Sequence, residues 1–285
     1  MGLLGLPFIF GPVSGGDTIP PALRKSFSQK DRVKEKLRDL ANWCVRIDPT
    51  MWASFEYADS IYITSQRSSK IIPARFRKKT KVRLAIGIPE QSVADSPDCQ
   101  RRSGRRILYA GNLLYLKGLH LGLAGFAKAA SELPGWTLTL VGDGPEKEKL
   151  LLLAEELGIR DRLEWKPAVS RDEILRLYPE FDIFLFPSLR DSGGMVVLEA
   201  LASGVPVVCL NLGGPAEIVN ETCGFAVNAE GPAEEVIANL ASALRQLAGS
   251  SALRTNLAYG ALSRAREFTW ERLASELYSQ PFVLR

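Results

Sequence analysis

Histidine is almost absent from this chain, and its scarcity excludes one class of site. Among 285 residues His120 is the single histidine, and the four cysteines show no C-x-x-C spacing. An ordinary zinc site built from His and Cys ligands is therefore excluded, and reduced thiols are expected. The net charge is only +4, with acids interleaved among the bases. Nucleic-acid binding calls for a denser positive field, so we expect no nucleic-acid partner.

Long hydrophobic runs are also missing. The opening MGLLGLPFIF is apolar but has ten residues, too few to span a bilayer, and it has neither a preceding basic region nor a following cleavage pattern. With 46% hydrophobic and 24% charged residues, the composition is that of a globular protein with a sizeable core. We expect a soluble cytoplasmic protein, and peripheral contact with the inner face of a membrane stays open.

The chain divides into two parts of different regularity. The segment PEQSVADSPDCQRRSGRR, from Pro89 to Arg106, is polar, charge-dense and proline-containing, as exposed linkers are. The predicted boundary lies near residues 95–104. It separates a first part, residues 1–98, from a second part, residues 99–285.

The second part alternates short β-rich runs with amphipathic helices. The runs are RILYAG, WTLTLVG, RLEWKP, FDIFLFPS, VPVVCL and GFAVN, separated by helical segments such as LHLGLAGFAKAASEL. This rhythm predicts a doubly wound α/β domain, a parallel sheet with helices on both faces. In such sheets ligands bind beyond the carboxyl ends of the strands. The functional site is therefore sought in the strand-to-helix turns.

Two of these turns contain glycine and polar residues. In AGNLLYLKGLHLG, Gly111 follows a strand and Lys117 stands just before a helix, where its ammonium favours a phosphate. A solvated lysine beside a glycine turn is the alternative. In VGDGPEKEKL, Gly142 and Gly144 enclose an aspartate, and Pro145 is predicted to open a helix at its first position. A helix start of this kind needs no ligand.

A third turn, LRDSGGMVVLEALASG, carries two acids around a pair of glycines. Asp191 ends a buried strand, and Gly193 and Gly194 let the backbone approach a bound group closely. Glu199 lies in a helix among apolar residues, where an unpaired carboxylate costs several kcal/mol. An internal Lys, Arg or backbone N–H would satisfy it, and so would the two hydroxyls of a ribose. The three turns together favour the ribose.

These motifs resemble those of one enzyme family. The run from Asp191 to Glu199 resembles the E-x7-E signature of retaining glycosyltransferases of family 4, with Asp191 in place of the first Glu. GNLLYLKG is similar to the phosphate turn of that family, VGDGPE to its GxGP turn, GGPAEIV to the segment after the next strand, and FTWERLASELY to its closing helix. The resemblance extends over residues 105–280.

The resemblance implies the glycosyltransferase-B architecture, in which two Rossmann-like domains face each other across a cleft. Residues 1–98 would be a partial N-terminal, acceptor-side domain, and residues 99–285 a C-terminal nucleotide-sugar-binding domain that includes the closing helix. Lys117 would neutralise the donor diphosphate, Glu199 would bind the ribose, and Asp191 would contact the sugar, making these three the candidate catalytic residues. The implied donor-binding residues are Gly111, Asn112, Lys117, Gly142, Gly193, Gly194, Met195 and Glu199. The implied reaction retains the anomeric configuration and needs neither a metal ion nor a cofactor besides the nucleotide-diphosphate-sugar donor. The implied acceptor is a glycan or a lipid-linked molecule.

The chain departs from the family pattern in three respects. Asn112 stands where the family usually has an arginine beside the diphosphate, and Asp191 is one methylene shorter than Glu. The segment GPVSGGDTIP, which begins at Gly11, lies near the start of the chain. About half of the acceptor-side domain is therefore expected to be missing, as in an N-terminally truncated enzyme or one part of a split one. A partner chain that supplies the missing half-domain is then a further expectation.

Several alternatives remain beside the transferase. One is a catalytically inactive nucleotide-sugar-binding fragment, and another is an enzyme like the nucleotide-sugar 2-epimerases, which the extended motif pattern disfavours. His120 is interpreted as a surface or capping residue, with a catalytic role as the weaker alternative. The basic run RFRKKTKVR, residues 75–83, is interpreted as a solvated face, with attraction to an anionic lipid surface as the alternative.

Overall fold

The computed structural model describes residues 7–98 and 104–278, and it contains two parallel β-sheets. The strands are β1 (Ile9–Val13), β2 (Ser60–Ile63), β3 (Thr80–Val82), β4 (Arg106–Ala110), β5 (Thr137–Val141), β6 (Leu163–Lys166), β7 (Ile183–Phe186), β8 (Val207–Leu210) and β9 (Gly224–Val227). The helices are α1 (Gln29–Cys44), α2 (Pro49–Tyr57), α3 (Leu119–Ala129), α4 (Lys147–Glu156), α5 (Arg171–Leu177), α6 (Met195–Ala202), α7 (Gly213–Ile218), α8 (Ala233–Gly249), α9 (Ser251–Ala265) and α10 (Trp270–Tyr278). The predicted boundary runs into residues 99–103, which lie outside the described residues.

The first sheet is small and pairs its strands in the order β1-β2-β3. Its register places Ile9 beside Ser60 and Ile61 beside Thr80. The buried side chains that form its core are Phe55, Ala58, Ile61, Ile63, Ile71, Ile72 and Phe76. Aromatic and β-branched residues dominate this core, as is usual for a strand surface packed on one side.

The second sheet has six strands in the order β6-β5-β4-β7-β8-β9, all parallel. β7 is the apolar run IFLF and is buried throughout, which a strand covered on both faces requires. The winding direction reverses between β4 and β7. Right-handed crossovers therefore put α3 and α6 on opposite faces, where α3 packs on α8 and α6 on α9. The predicted α/β fold is confirmed.

This reversal determines where a ligand has room. The chain leaves β4 toward one edge of the sheet and leaves β7 toward the other, so the turns that follow these two strands diverge. A crevice at the carboxyl ends of the strands results. The two turns carry Lys117 and Asp191, respectively.

The two parts of the chain are packed together. Ile19, Leu23 and Phe27 belong to the same buried cluster as the core of the second sheet. At the other end of the chain, α10 returns to the first part, where the backbone of Ile88 bonds to Phe268 and Trp270 at 3.0 Å each. Packing thus carries residues of the predicted 1–98 unit into the larger core. Within the described residues, every helix falls short of the length and apolarity needed to cross a bilayer.

Candidate active site

The turn after β4 positions Lys117 by way of a tight backbone approach. Residues Tyr115–Lys117 form a 3-10 turn, and Gly118 closes it with φ 64°, in the left-handed region. A Cβ at position 118 would collide with the carbonyl oxygen of Pro187, which follows β7. Glycine is therefore required for the turn after β4 to lie against the end of β7. Lys117 is brought to the crevice in this way.

Lys117, Asp191, Gly193 and Gly194 come together at the N-terminus of α6. The Lys117 Nζ atom lies 2.6 Å from Asp191 Oδ2, and both side chains are mostly buried, with exposed fractions of 17% and 19%. The other oxygen, Asp191 Oδ1, accepts the backbone N–H groups of Gly193 at 3.1 Å and of Gly194 at 2.8 Å. An ammonium and two N–H groups at a helix start thus surround one carboxylate. This is the donor set of an anion site.

The turns after β4 and β5 are joined by backbone hydrogen bonds. Leu113 donates its N–H to Asp143 and accepts that of Glu146, at 2.8 and 3.1 Å. Gly142 lies so close to Gly111 that a Cβ at position 142 would meet the Gly111 carbonyl oxygen. The expectation that Pro145 opens α4 is wrong, since this helix begins at Lys147. The carbonyl oxygen of Gly144 accepts the N–H of Lys147, three residues on, so this segment is a tight turn, and the N–H of Leu150 makes the first helical bond, to Glu146.

Two other residues of the implied donor site lie in the turn after β4 and at the start of α6. Asn112 has an exposed side chain, and its carbonyl oxygen accepts the hydroxyl of Tyr109 at 3.0 Å. Met195, the first residue of α6, is half-buried. Asn112 therefore supplies no cation at the position where the family usually has an arginine. Arg190 precedes Asp191 in the sequence, but its guanidinium is bound to the carboxylate of Glu35.

Glu199 is 5% exposed and has internal partners. Its Oε1 atom accepts Arg171 Nε at 3.1 Å, and its Oε2 atom accepts the hydroxyl of Tyr178 at 3.4 Å. The Arg171 side chain is 62% exposed, so the ion pair lies at the protein surface. Sequence reasoning left an internal Arg as one alternative for Glu199, and the structure identifies Arg171 in that position.

Burial dominates the electrostatics of Glu199 and Tyr178. Loss of hydration raises the pKa of Glu199, and the nearby Arg171 guanidinium and the hydrogen bonds from Arg171 and Tyr178 oppose this rise. Burial also raises the pKa of Tyr178, with the Glu199 carboxylate adding to the effect. The hydroxyl of Tyr178 therefore keeps its proton and acts as a donor to Glu199.

Sequence reasoning missed a buried cluster that joins the two parts of the chain beside this site. Glu35 of α1 is 1% exposed, and its oxygens accept Arg190 Nη1 at 2.8 and 2.6 Å. The hydroxyl of Tyr115 donates to the same carboxylate at 2.9 Å. Arg190 directly precedes Asp191, and this adjacency in the sequence indicates that the arginine lies close to the site. The sequence contains no comparable signal for Glu35.

His120 lies between the two parts of the chain. Its Nε2 atom is 3.2 Å from the hydroxyl oxygen of Ser26, and its ring packs edge-on against Phe27. Burial lowers its pKa, so the ring tends to be neutral. It caps no end of α3 by its side chain. A cavity of about 370 Å³ opens beside it, between Asp31 and Lys149.

Comparisons with known proteins identify the family of the chain. A family model described as "Glycosyl transferases group 1" matches residues 100–261. A D-inositol 3-phosphate glycosyltransferase of Corynebacterium urealyticum is 31% identical over 216 residues, which are 73% of this chain and 47% of that protein. A glycogen synthase of Mycobacterium tuberculosis is 30% identical, over 61% of this chain and 42% of that protein. The chain therefore spans about half the length of these curated relatives.

Solved structures share the fold. Anabaena Alr3699/HepE in complex with UDP superposes with a TM-score of 0.69 at 20% identity, over 95% of this chain and 71% of that protein. The pneumococcal O-GlcNAc transferase GtfA in complex with UDP and GlcNAc gives 0.64 at 17% identity, over 78% of this chain and 44% of that protein. The predicted glycosyltransferase-B fold is confirmed by these similarities. Because the family model covers more than half of the chain, the protein belongs to the group 1 glycosyl transferases.

Proposed function

We propose that this chain takes part in transferring a sugar from a nucleotide-diphosphate-sugar to a glycan or lipid-linked acceptor, with retention of the anomeric configuration, as family 4 enzymes do. The carrying observation is the anion site at the start of α6. There, Lys117 Nζ and the N–H groups of Gly193 and Gly194 all bind one carboxylate, that of Asp191. A donor diphosphate needs the same type of donors.

In this proposal the diphosphate takes over Lys117 and the two N–H groups, and Asp191 turns to the hydroxyls of the sugar. Breaking the bond between the anomeric carbon and the diphosphate oxygen leaves negative charge on the phosphate. Lys117 and the N–H groups are already in place for that charge, so they stabilise the transition state with little reorganisation. The acceptor oxygen forms the new bond to the anomeric carbon, and the proton of the acceptor hydroxyl passes to the departing diphosphate. No metal ion or further cofactor has a part in this scheme.

The role proposed for Glu199 is to bind the ribose hydroxyls. Its present partner Arg171 has a largely exposed side chain and holds it through one nitrogen, and the contact to Tyr178 is long at 3.4 Å. A ribose that donates two hydroxyls can therefore replace or share these contacts at a modest cost. Arg171 begins α5, after the turn near Ala168 that we propose to contact the base.

The wider setting is also part of the proposal. The structures similar in fold include a complex described as GtfA/B, which covers 81% of this chain. This chain spans about half the length of its curated relatives. We propose that a further acceptor-side region, in the same or a partner chain, completes the enzyme. We further propose that the reaction occurs in the cytoplasm, at the inner face of a membrane.

Titration calorimetry with UDP, GDP and their nucleosides tests the donor site. We expect Glu199→Ala to weaken binding of nucleotide and nucleoside alike, because both carry the ribose. Lys117→Ala should weaken the diphosphates by about tenfold or more and leave the nucleosides nearly unchanged, because the lost contact is ionic. Lys128→Ala is the matched control, since Lys128 is exposed on α3, away from the crevice.

Two results would contradict the proposal. Equal nucleoside affinity in the wild type and the Glu199 variant would remove the ribose assignment. Tight binding of a nucleotide-sugar without release of free nucleotide, for any acceptor extract and with the completing region present, would leave a binding protein without transferase activity.

A further inference from the structure

We infer that α1 is a membrane-binding helix that inserts an apolar stripe into an anionic lipid surface. The stripe consists of Val33, Leu37, Leu40 and Trp43, which are 54%, 62%, 56% and 53% exposed. Their spacing of three and four residues places them along one face of the helix. Large apolar side chains in such a row are rarely left to water without an interaction partner.

The helix buries part of its polar face and exposes its apolar face, which is the opposite of an ordinary surface helix. It turns Asp31 and Glu35 inward, and both are buried. These acids have partners: Asp31 is bound by Ser28 and Lys34, and Glu35 by Arg190 and Tyr115. Ser28 caps α1 and Lys34 belongs to it, so the contacts of Glu35 with the second part of the chain are those that fix α1 with its apolar face outward. The exposed stripe is a consequence of a satisfied inner face.

The charges beside the stripe point to the occupant. Four cations of α1 are exposed, namely Lys30, Arg32, Lys34 and Lys36, and they flank the stripe on both sides. The side chain of Asp39 is also 39% exposed, but it is paired with Arg24. An apolar face bordered by Lys and Arg is typical of helices that lie in the interface of an anionic membrane. A second copy of this chain would bring the same cations against each other. Such like-charge contacts oppose association.

The positive surface continues past the end of α1. A groove of about 310 Å³ is lined by Arg46, Lys70 and Arg77 around Trp52, and its charged lining residues, among those the structure describes, are all cations. Arg46 donates to the carbonyl oxygen of Lys70 at 2.9 Å, which fixes this arginine beside the groove. Lipid phosphates are suitable anions for such a cluster, and each nearby cation adds to membrane attraction.

The helix has dimensions suited to this role. Its 16 residues extend about 24 Å, at about 1.5 Å per residue, so it can lie in the interface plane along its whole length. This inference deepens the proposed function by naming the surface at which a lipid-linked acceptor would be met. Only this link to the acceptor rests on the proposed function, because lipid binding itself requires neither donor nor catalysis.

Vesicle flotation of the whole chain tests the inference. We expect binding to phosphatidylcholine vesicles containing about a third phosphatidylglycerol, and at least about tenfold weaker binding to pure phosphatidylcholine. Leu37→Glu combined with Leu40→Glu should reduce binding to the anionic vesicles by about tenfold or more. Leu152→Glu, at a leucine 59% exposed on α4, is the matched control and should leave binding unchanged. Arg32→Glu with Lys36→Glu should reduce binding and its salt dependence, whereas Lys128→Glu should not.

Three results would overturn the inference. The first is failure of the wild type to bind anionic vesicles, either alone or with the completing acceptor-side region present, because that region would then cover the stripe. The second is an equal reduction by the Leu152 control. The third is a dimer, detected by sedimentation, that the Leu37 and Leu40 substitutions dissociate while vesicle binding is absent, because the stripe would then cover a second copy. Circular dichroism of the variants verifies that the exposed substitutions leave the fold intact. A failure here would leave the nucleotide-binding results unaffected.

Discussion

The helices α8 and α1 bury opposite kinds of face. α8, on the larger sheet, buries Leu240, Leu244 and Leu247 and begins with two acids, Glu234 and Glu235. α1, in the first part of the chain, buries Asp31 and Glu35 and exposes its leucines. What differs is the opposing surface. α8 faces the apolar side of α3, whereas α1 faces Tyr115 and Arg190 at the polar ends of the strands.

Hydrophobic periodicity therefore places residues on one face of a helix but does not show which face is turned inward. Both helices have a clear apolar stripe and a clear polar face. The inward face is selected by the surface that it meets, because a buried polar group is tolerated only where partners are available. For Glu35 of α1 the partners Tyr115 and Arg190 lie 80 and 155 positions away along the chain.

The largest effect is expected from a matched pair of leucines. Leu240→Ala should lower the free energy of unfolding by about 3–5 kcal/mol, because Leu240 is fully buried and packs against Gly125 of α3. Leu37→Ala, on the exposed stripe, should change it by less than about 0.5 kcal/mol. Urea unfolding of both variants gives the difference. Similar losses would show that the α1 stripe is packed against protein and would break the contrast.

The buried ion pair between the two parts of the chain comes next. Arg190→Ala leaves the carboxylate of Glu35 buried with only Tyr115 as a donor, and we expect a loss of about 3 kcal/mol. Hydrogen exchange should increase in α1 more than in α8, because this pair holds the polar face of α1 inward. Combining Arg190→Met with Glu35→Leu serves as the control and should recover most of the loss. An Arg190→Ala variant as stable as the wild type would contradict the proposed anchoring of α1.

The larger domain was largely predictable because its signals are local. Runs such as FDIFLFPS predict buried strands, and a glycine before helices such as α3 and α6 marks the turns. Lys117, Asp191, Gly193 and Gly194 were singled out for this reason, and the structure brings them together. Their placement follows from one fact that sequence reasoning captured, namely that parallel strands end at the same edge.

The orientation of α1 and the partners of Glu199 were not predictable in the same way. Each depends on contacts between distant segments: Glu35 with Arg190, and Glu199 with Arg171 and Tyr178. The sequence shows that a buried carboxylate needs a partner. It does not show which of 36 basic residues supplies it.

The pH dependence of the free energy of unfolding tests the effect of burial on Glu199, in the larger domain. Burial raises the pKa of Glu199, so the folded chain holds this proton more tightly than the unfolded chain. Its contribution is therefore most favourable below the ordinary pKa of a glutamate and is lost as the pH rises through the raised pKa. Relative to Glu199→Gln, the wild type should lose stability as the pH rises through this window. Unfolding free energies measured at several pH values give the difference.

Arg171 supplies the control for that experiment. Removing its guanidinium by Arg171→Ala takes away the nearest opposing charge, so the pKa of Glu199 should rise further and the window should widen. A difference between wild type and Glu199→Gln that does not change with pH would contradict the burial argument. An unchanged window in the Arg171 variant would instead contradict the ion pair.

The smallest effect is expected from another arginine that links the two parts of the chain. Arg67 pairs with Glu230, whose side chain is 60% exposed, and also donates to the carbonyl oxygen of Thr18 at 3.4 Å. Arg67→Ala should cost less than about 1 kcal/mol, because water largely screens an exposed pair, and the cost should shrink with added salt. Urea unfolding at low and high salt measures it beside Arg190→Ala. A loss as large as that of Arg190 would mean that contact between the two parts, irrespective of burial, determines the cost, and the contrast between the buried and the exposed pair would fail.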